Sequence, residues 1–134
     1  MNFHVYIDGS CKVSTGKGGY AYTIYDEYNE VWVRGSGTEK ETTEEKIKVT
    51  AAVESLRMIE KNYPSIINPH LIIIYSNNCY LSNCFEGNFE GNEMLKSLYE
   101  IVKKTGAVFQ KVSKKDLRIQ QVNKEAKSAA KNLR

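Results

Sequence analysis

The 134-residue chain has few of the residues that build metal centres, disulfide frameworks or membrane spans. Its three cysteines, Cys11, Cys79 and Cys84, are odd in number and lack CxxC or Cys/His ligand spacing, which favours free structural thiols in a reducing compartment. Its two histidines are isolated in the sequence. No apolar run approaches the roughly 18 residues that a membrane-spanning helix needs. We therefore expect a cytoplasmic protein that has no zinc site and does not enter a membrane.

Proline is also scarce. Two prolines and nine glycines give no stretch that resembles a long disordered linker. The amino terminus enters a strand pattern without the basic and apolar segments of a secretory signal. With 41% hydrophobic and 26% charged residues, a chain of this length can bury one ordinary core. The composition predicts a single globular domain over residues 1–134.

Residues 3–11 alternate between apolar and polar side chains, which is the pattern of a β-strand with two different faces. The polar face ends in Asp8, which is followed directly by Gly9 and Ser10. A carboxylate at this place can face an open site with backbone N–H donors beside it. Asp-Gly-Ser is also ordinary turn chemistry, so these residues alone do not establish a functional site.

The first half of the chain predicts a meander of three strands followed by a helix. Residues 20–25 are rich in β-forming residue types, and a short turn separates them from the strand-like residues 31–33. Short turns between consecutive strands favour antiparallel pairing. Thr42 and Glu45 have the spacing of a capping box, and apolar residues recur at helical spacing from about 44 to 61.

The second half alternates between helix and strand patterns. Residues 70–76 form a continuous apolar run, as in a strand buried on both faces, and the preceding helix favours parallel pairing. Residues 93–104 form an amphipathic helix, 107–112 a fifth strand, and about 119–133 a closing helix. A short helix is also expected at 77–85. This order of elements predicts a mixed α/β fold.

Five short motifs occur in order along almost the whole chain. They are Tyr6-Ile-Asp-Gly-Ser-Cys11, Gly18-Gly-Tyr-Ala21, Thr42-Thr43 before a helix, Ser76-Asn-Asn-Cys-Tyr80 after a buried strand, and Asn123-Lys-Glu-Ala-Lys127. Together these motifs resemble type 1 ribonuclease H. Each motif is short, but their order matches that of the predicted elements. The resemblance implies an RNase H-like α/β fold: a five-stranded mixed sheet, three antiparallel strands and then parallel strands, with helices on both faces.

The resemblance also implies an activity, the cutting of the RNA strand of an RNA/DNA hybrid by two magnesium ions held on four carboxylates. Hard divalent cations prefer oxygen ligands, and a pair of them stabilises the attacking water and the leaving oxygen. Carried over one by one, the family's four carboxylate positions fall on Asp8, Lys48, Asn77 and Lys127. The family's loop histidine has no counterpart in residues 113–118.

These four positions argue against the family's chemistry. Only Asp8 is a carboxylate, so the four residues carry +1 where four carboxylates would carry −4. Two magnesium ions would meet a centre that is already positive, and each close like-charge pair costs about 4 kcal/mol at an intermediate dielectric constant. Glu44, one turn before Lys48, is expected to pair with that lysine. We expect no catalytic residue, no metal ligand set and no cofactor, with Mg²⁺ bound only if the site is active after all.

The carboxyl-terminal quarter of the chain is strongly basic. Residues 102–134 hold ten Lys and Arg residues against two acidic ones, whereas the whole chain carries only +3. Such asymmetry is typical of a surface that faces phosphate groups. The resemblance adds Ser14 and Thr43, which match positions near the family's phosphate-binding groove. The candidate nucleic-acid-binding residues are Ser10, Ser14, Thr43, Lys48, Asn77, Lys114, Lys115, Arg118 and Lys127.

Three functions remain open from the sequence. The first is a pseudoenzyme, an inactive RNase H-like protein that binds RNA/DNA hybrid or double-stranded RNA without cutting it. The second is a protein-interaction or regulatory module that uses the same fold as a scaffold for a protein partner. The third is an active metal-dependent ribonuclease H with a rearranged site. The fold alone does not choose among them.

Overall fold

The computed structural model describes residues 2–12, 14–67, 70–77 and 93–132. The short helix expected at 77–85 falls almost entirely outside the described residues. Within them, no helix is both long and apolar enough to cross a membrane.

The described residues form five strands and three helices in a mixed α/β order. The elements are β1 (Asn2–Lys12), β2 (Lys17–Tyr25), β3 (Val31–Glu39), α1 (Glu44–Asn62), β4 (Leu71–Ser76), α2 (Glu93–Thr105), β5 (Val108–Lys111) and α3 (Leu117–Lys131). The strands form one sheet in the order β3-β2-β1-β4-β5. The pairs β1–β2 and β2–β3 are antiparallel, and the pairs β1–β4 and β4–β5 are parallel. The predicted five-stranded mixed sheet is confirmed.

The side chains of β1 alternate between two hydrophobic clusters, one on each face of the sheet. Phe3, Val5 and Ile7 are at most 1% exposed and belong to a cluster with apolar residues of α1 and α2. On the other face, Tyr6 belongs to a cluster with Ile119 and further apolar residues of α3. Each fully buried side chain of this size contributes about 1.5–3 kcal/mol. Helices therefore cover both faces of the sheet.

The N-cap of α1 lies one residue later than the capping-box spacing predicted. The side chain of Thr43, not that of Thr42, accepts a hydrogen bond from the backbone N–H of Lys46 at 3.2 Å. Thr43 has the extended backbone that an N-cap residue requires. Glu44 and Glu45 lie in the first turn of the helix, where negative charge is favourable.

The closing helix, α3, begins at Leu117, two residues before the predicted start. Asp116 explains the difference because its carboxylate is the N-cap. It accepts hydrogen bonds from the backbone N–H groups of Arg118 at 2.9 Å and Ile119 at 3.1 Å. An N-cap of this kind satisfies two of the donors that a helix leaves unpaired.

Gly19 of β2 allows α3 to lie directly on the sheet. A Cβ at this position would lie 2.4 Å from the carbonyl oxygen of Ala126 and 2.4 Å from the backbone nitrogen of Ala130. Both are backbone atoms of α3, so neither can move aside as a flexible side chain would. The close contact places the carboxyl-terminal half of α3 over the hairpin of β1 and β2.

We expect Gly19→Ala to destabilise the protein by about 3 kcal/mol, the upper end for a methyl group added to a packed interior. Urea unfolding followed by circular dichroism measures the change. Gly106→Ala is the control, because a Cβ there meets no atom within 4 Å and only the φ of 73° opposes it. That backbone conformation costs about 1 kcal/mol for alanine. Equal losses in the two variants would contradict the contact between α3 and β2.

Candidate functional site

Asp8 is a buried carboxylate on β1, the central strand of the sheet. Its side chain is 2% exposed. Oδ1 accepts a hydrogen bond from the backbone N–H of Gly9 at 2.8 Å, and Oδ2 accepts one from the side-chain amide of Asn123 at 2.9 Å. Both oxygens therefore have a donor, as a buried charge requires. As predicted, β1 carries a carboxylate that lies beside a backbone N–H donor.

Lys48 brings a positive charge to Asp8 from α1. Its Nζ lies 3.8 Å from Oδ1 of Asp8, and its side chain is 12% exposed. Gly9 permits the approach of α1, because a Cβ there would lie 2.5 Å from Cγ2 of Ile47. The predicted ion pair between Glu44 and Lys48 is replaced by this one. The reason is that a buried carboxylate attracts the ammonium group more strongly than an exposed one does.

The residue of α3 that contacts Asp8 is Asn123, one helical turn before the predicted Lys127. The buried residues of this helix are Ile119, Val122 and Ala126. Asn123 lies four residues after the first of them and so falls on the stripe that faces the sheet. Lys127 is exposed. The apolar periodicity of α3 is the sequence signal that identifies Asn123.

Asp8 and Lys48 line a cleft of about 390 Å³. The other lining residues are Gly9, Ser10, Glu44, Asn77, Lys114, Asn123 and Lys127. The cleft therefore brings together all four positions that the resemblance singled out, together with two of the candidate phosphate contacts, Ser10 and Lys114. A neighbouring cavity of about 350 Å³ shares several of these residues and continues along α3 to Lys124.

The remaining predicted site residues do not line this cleft. They are Ser14, Thr43, Lys115 and Arg118. Ser14 and Lys115 are exposed, and the hydroxyl of Thr43 caps α1. The guanidinium carbon of Arg118 lies 3.8 Å from the ring centroid of Tyr25, and its Nη2 donates a hydrogen bond to Asn29 at 2.8 Å. Arg118 therefore joins α3 to β2 and its turn, a contact that contributes about 0.5–1 kcal/mol at an exposed site.

Glu44 is a second carboxylate at the cleft, and it is exposed. Burial raises the pKa of the Cys11 thiol, and the negative charge of Glu44 raises it further. The Cys11 thiol donates a hydrogen bond to the carbonyl oxygen of Thr42 at 3.4 Å. Because a raised pKa keeps the thiol neutral at pH 7, Cys11 adds no anionic sulfur ligand near the cleft.

The polar groups of the cleft suit an anion better than a cation. The described parts of the chain contain no group of three or more His, Cys, Asp or Glu side chains that could hold a metal ion. Asn77 contributes a neutral amide, and Lys48, Lys114 and Lys127 contribute ammonium groups. Ammonium and amide groups donate hydrogen bonds to oxygen anions such as phosphate.

We expect Lys48→Met to lower the free energy of unfolding by about 1–3 kcal/mol, because the carboxylate of Asp8 stays buried without its charge partner. Urea unfolding measures the loss. Lys46→Met is an exposed change on the same helix, and its effect should stay within about 0.5 kcal/mol. A double-mutant cycle with Asp8→Asn should give a coupling of about 1 kcal/mol. A coupling near zero would contradict the ion pair.

Comparison with solved structures identifies the fold. RNase H1 from the halophilic archaeon Halobacterium salinarum NRC-1 is similar with a TM-score of 0.77 at 12% identity, covering 99% of this chain and 100% of that chain. LC11-RNase H1, isolated from compost by a metagenomic approach, has a TM-score of 0.80 at 14% identity, covering 97% and 96%. The same protein in complex with an RNA/DNA hybrid has a TM-score of 0.79 at 15% identity, covering 96% of each chain.

Sequence comparison adds closer relatives. Ribonuclease H of Campylobacter jejuni is 28% identical over 103 residues, which are 76% of this chain and 69% of that protein. Ribonuclease H of Chlorobium luteolum is 27% identical over 125 residues, with 81% and 80% covered. The family model described as RNase H matches residues 1–133. Because this match spans nearly the whole chain and the strands and helices follow the same architecture, the protein belongs to the RNase H family.

Proposed function

We propose that this RNase H-family protein binds an RNA/DNA hybrid, or structured nucleic acid of similar shape, without cleaving it. The observation that carries the proposal is the ammonium group of Lys48 at 3.8 Å from the carboxylate of Asp8. A side-chain cation at this place fills the space beside Asp8 that a metal ion would need. It also neutralises the charge that would attract such an ion.

The residues of the cleft do not fit a pair of magnesium ions, the group that the family resemblance implies. Mg²⁺ needs several oxygen ligands, and a pair of ions needs several negative ones. Both oxygens of Asp8 already accept hydrogen bonds, from Gly9 and Asn123. Lys48 would repel a cation at the same oxygen. These contacts support binding that does not depend on metal.

The cleft offers a net positive surface to a phosphate. Once Lys48 has neutralised Asp8, the charged side chains left in the lining are Lys114 and Lys127 against Glu44. Ser10 and Asn77 also line the cleft and carry hydrogen-bond donors. Contacts of this kind hold the nucleic-acid backbone and carry little base information. Binding should therefore be insensitive to sequence and sensitive to salt.

The relatives support an RNA/DNA hybrid as the ligand. The curated relatives are ribonucleases H, and LC11-RNase H1 has been solved in complex with an RNA/DNA hybrid. An A-like duplex presents its 2′-hydroxyl and phosphate groups across a wide, shallow minor groove. A protein that reads this shape needs correctly spaced donors rather than catalytic groups.

Glu44 supports one alternative, a metal-dependent ribonuclease with a rearranged site. It lines the same cleft as Asp8, so the two carboxylates could share one divalent ion if Lys48 moved away. The two functions differ in what they require of a metal. The alternative needs Mg²⁺ or Mn²⁺ for cleavage, whereas the proposed binding needs neither.

A fluorescently labelled hybrid tests both functions in one titration, with Mg²⁺, with Mn²⁺ and with chelator, at low and high salt. We expect binding that chelator leaves unchanged, that weakens as salt rises, and that leaves the RNA intact. Lys127→Ala should weaken binding several-fold by removing one phosphate contact, in the range typical of such contacts. Metal-dependent cleavage by the purified protein would establish the alternative. No binding even at low salt would refute both and direct attention to a protein partner.

We expect Lys48→Glu/Asn77→Asp/Asn123→Asp to gain a magnesium site, because it surrounds Asp8 with anionic oxygen ligands. A rise in melting temperature with Mg²⁺ reports metal binding, and cleavage of the labelled hybrid reports activity. The control carries Lys127→Asp in place of Asn123→Asp, which adds an acidic residue at an exposed position instead. An equal response of the two variants to Mg²⁺ would contradict the assignment of Asn123, rather than Lys127, to the contact with Asp8.

A further inference from the structure

A second basic cavity adjoins the Asp8 cleft, with which it shares Ser10 and Lys127. It has a volume of about 480 Å³. Its lining includes four lysines, Lys12, Lys17, Lys127 and Lys131, and two hydroxyl residues, Ser10 and Thr15. We call it the four-lysine pocket. Three of the four lysines, Lys12, Lys17 and Lys131, belong to none of the site positions discussed so far.

The four lysines form two like-charge pairs that the fold brings together. Lys12 of β1 lies directly opposite Lys17 of β2 in the antiparallel ladder. Lys127 and Lys131 lie one turn apart on α3. Like charges in either arrangement are destabilising. The close contact of α3 with Gly19 then places both pairs around one cavity.

The described residues offer these lysines no compensation. No carboxylate lines the four-lysine pocket, and none of its lysines forms an ion pair in the described parts of the chain. Lys131 alone has a local role, because a cation in the last turn of a helix is favourable. Within the described residues, Lys12, Lys17 and Lys127 have no comparable stabilising partner. A bound anion would turn this mutual repulsion into attraction.

We propose that the four-lysine pocket is a phosphate-binding site. Ammonium and hydroxyl donors on several sides of one cavity match an anion with several acceptor oxygens. This inference rests on the proposed function in one respect, the source of the phosphate. The pocket and the Asp8 cleft share Ser10 and Lys127, so a nucleic-acid strand that occupies the cleft passes directly to the pocket and places another of its phosphates there.

The salt dependence of hybrid binding tests this site. Each lysine that contacts a phosphate contributes roughly 0.9 to the slope of log K against log salt. We expect Lys17→Gln/Lys131→Gln, which removes one member of each like-charge pair, to lower that slope by about 1–2. Without ligand, the melting temperature of this variant should stay close to that of the unsubstituted protein, because the relief of repulsion offsets the loss of the Lys131 cation from the last turn of α3.

Lys61→Gln/Lys103→Gln is the matched control. It changes the net charge by the same amount in the last turns of α1 and α2. Lys61 lies about 20 Å along α1 from Lys48, from the rise of 1.5 Å per residue. We expect this variant to keep the slope of the unsubstituted protein. Equal slopes for both double variants and the unsubstituted protein would show that the bound hybrid places no phosphate in the pocket, while leaving hybrid binding intact.

Titration with inorganic phosphate and pyrophosphate separates a nucleic-acid source from a small-molecule source. In the unsubstituted protein, the backbone amide resonances of Thr15, Lys17 and Lys131 should shift as phosphate is added. In Lys17→Gln/Lys131→Gln, the amide resonance of Thr15 should stay unchanged. Such shifts without any hybrid binding would support the phosphate site with a free phosphate compound as its ligand and would refute the proposed function. Absence of both the shifts and the slope change would overturn the inference.

Discussion

The buried carboxylate of Asp8 is the constraint on which the site depends. A charge in the interior is costly unless each oxygen has a donor and a counter-charge lies nearby. Here the donors come from β1 itself and from α3, and the counter-charge comes from Lys48 on α1. The three elements that meet at Asp8 are therefore tied together by one side chain. Any change at Asp8 affects the packing of both helices on the sheet as well as the cleft.

The sequence predicted those features of the fold that depend on local periodicity. Alternation over residues 3–11 identified β1, and the apolar run at 70–76 identified β4 as a parallel strand. The expected burial of β4 on both faces was wrong, because only Ile72, Ile74 and Ser76 are buried and Leu71 is exposed. Helical spacing identified α1 and α2 almost to their ends. Boundaries set by a single side chain were less predictable. The capping-box spacing with Glu45 favoured Thr42, whereas the structure has the N-cap at Thr43, whose backbone is extended.

The residue types at the site could be predicted from the sequence, but the residue of α3 that contacts Asp8 could not. Asn123 and Lys127 are one helical turn apart, so a short motif fits either residue on the same side of α3. The packing of α3 on β2 selects Asn123 for Asp8. The four-lysine pocket was not predictable, because Lys12 and Lys17 lie more than a hundred residues from Lys127 in sequence. Their proximity depends on Gly19, which allows α3 to lie close to β2.

The count of charges along the sequence overstated how many of the cations in residues 102–134 are available to bind phosphate. The guanidinium group of Arg118 lies on Tyr25, the ammonium group of Lys103 lies over Tyr99 at 5.4 Å, and Lys104 pairs with Glu60 at 3.6 Å. The cations of this segment that line the cleft and its neighbouring cavities are instead Lys114, Lys124, Lys127 and Lys131. Lys48 of α1 and two lysines of the β1–β2 hairpin line them as well. Folding therefore concentrates a modest net charge on one region of the surface.

A lysine can replace a metal ion in one respect only. Its ammonium group neutralises a carboxylate and attracts a phosphate, as a cation must. It carries half the charge of Mg²⁺, offers no vacant coordination position, and cannot lower the pKa of a bound water to produce a nucleophile at neutral pH. In the proposed function, Lys48 at the position of a metal ligand separates the two tasks that a metal pair performs together. Attraction of the phosphate backbone would be retained and activation of water would be lost, which is the physical basis of the proposed binding without cleavage.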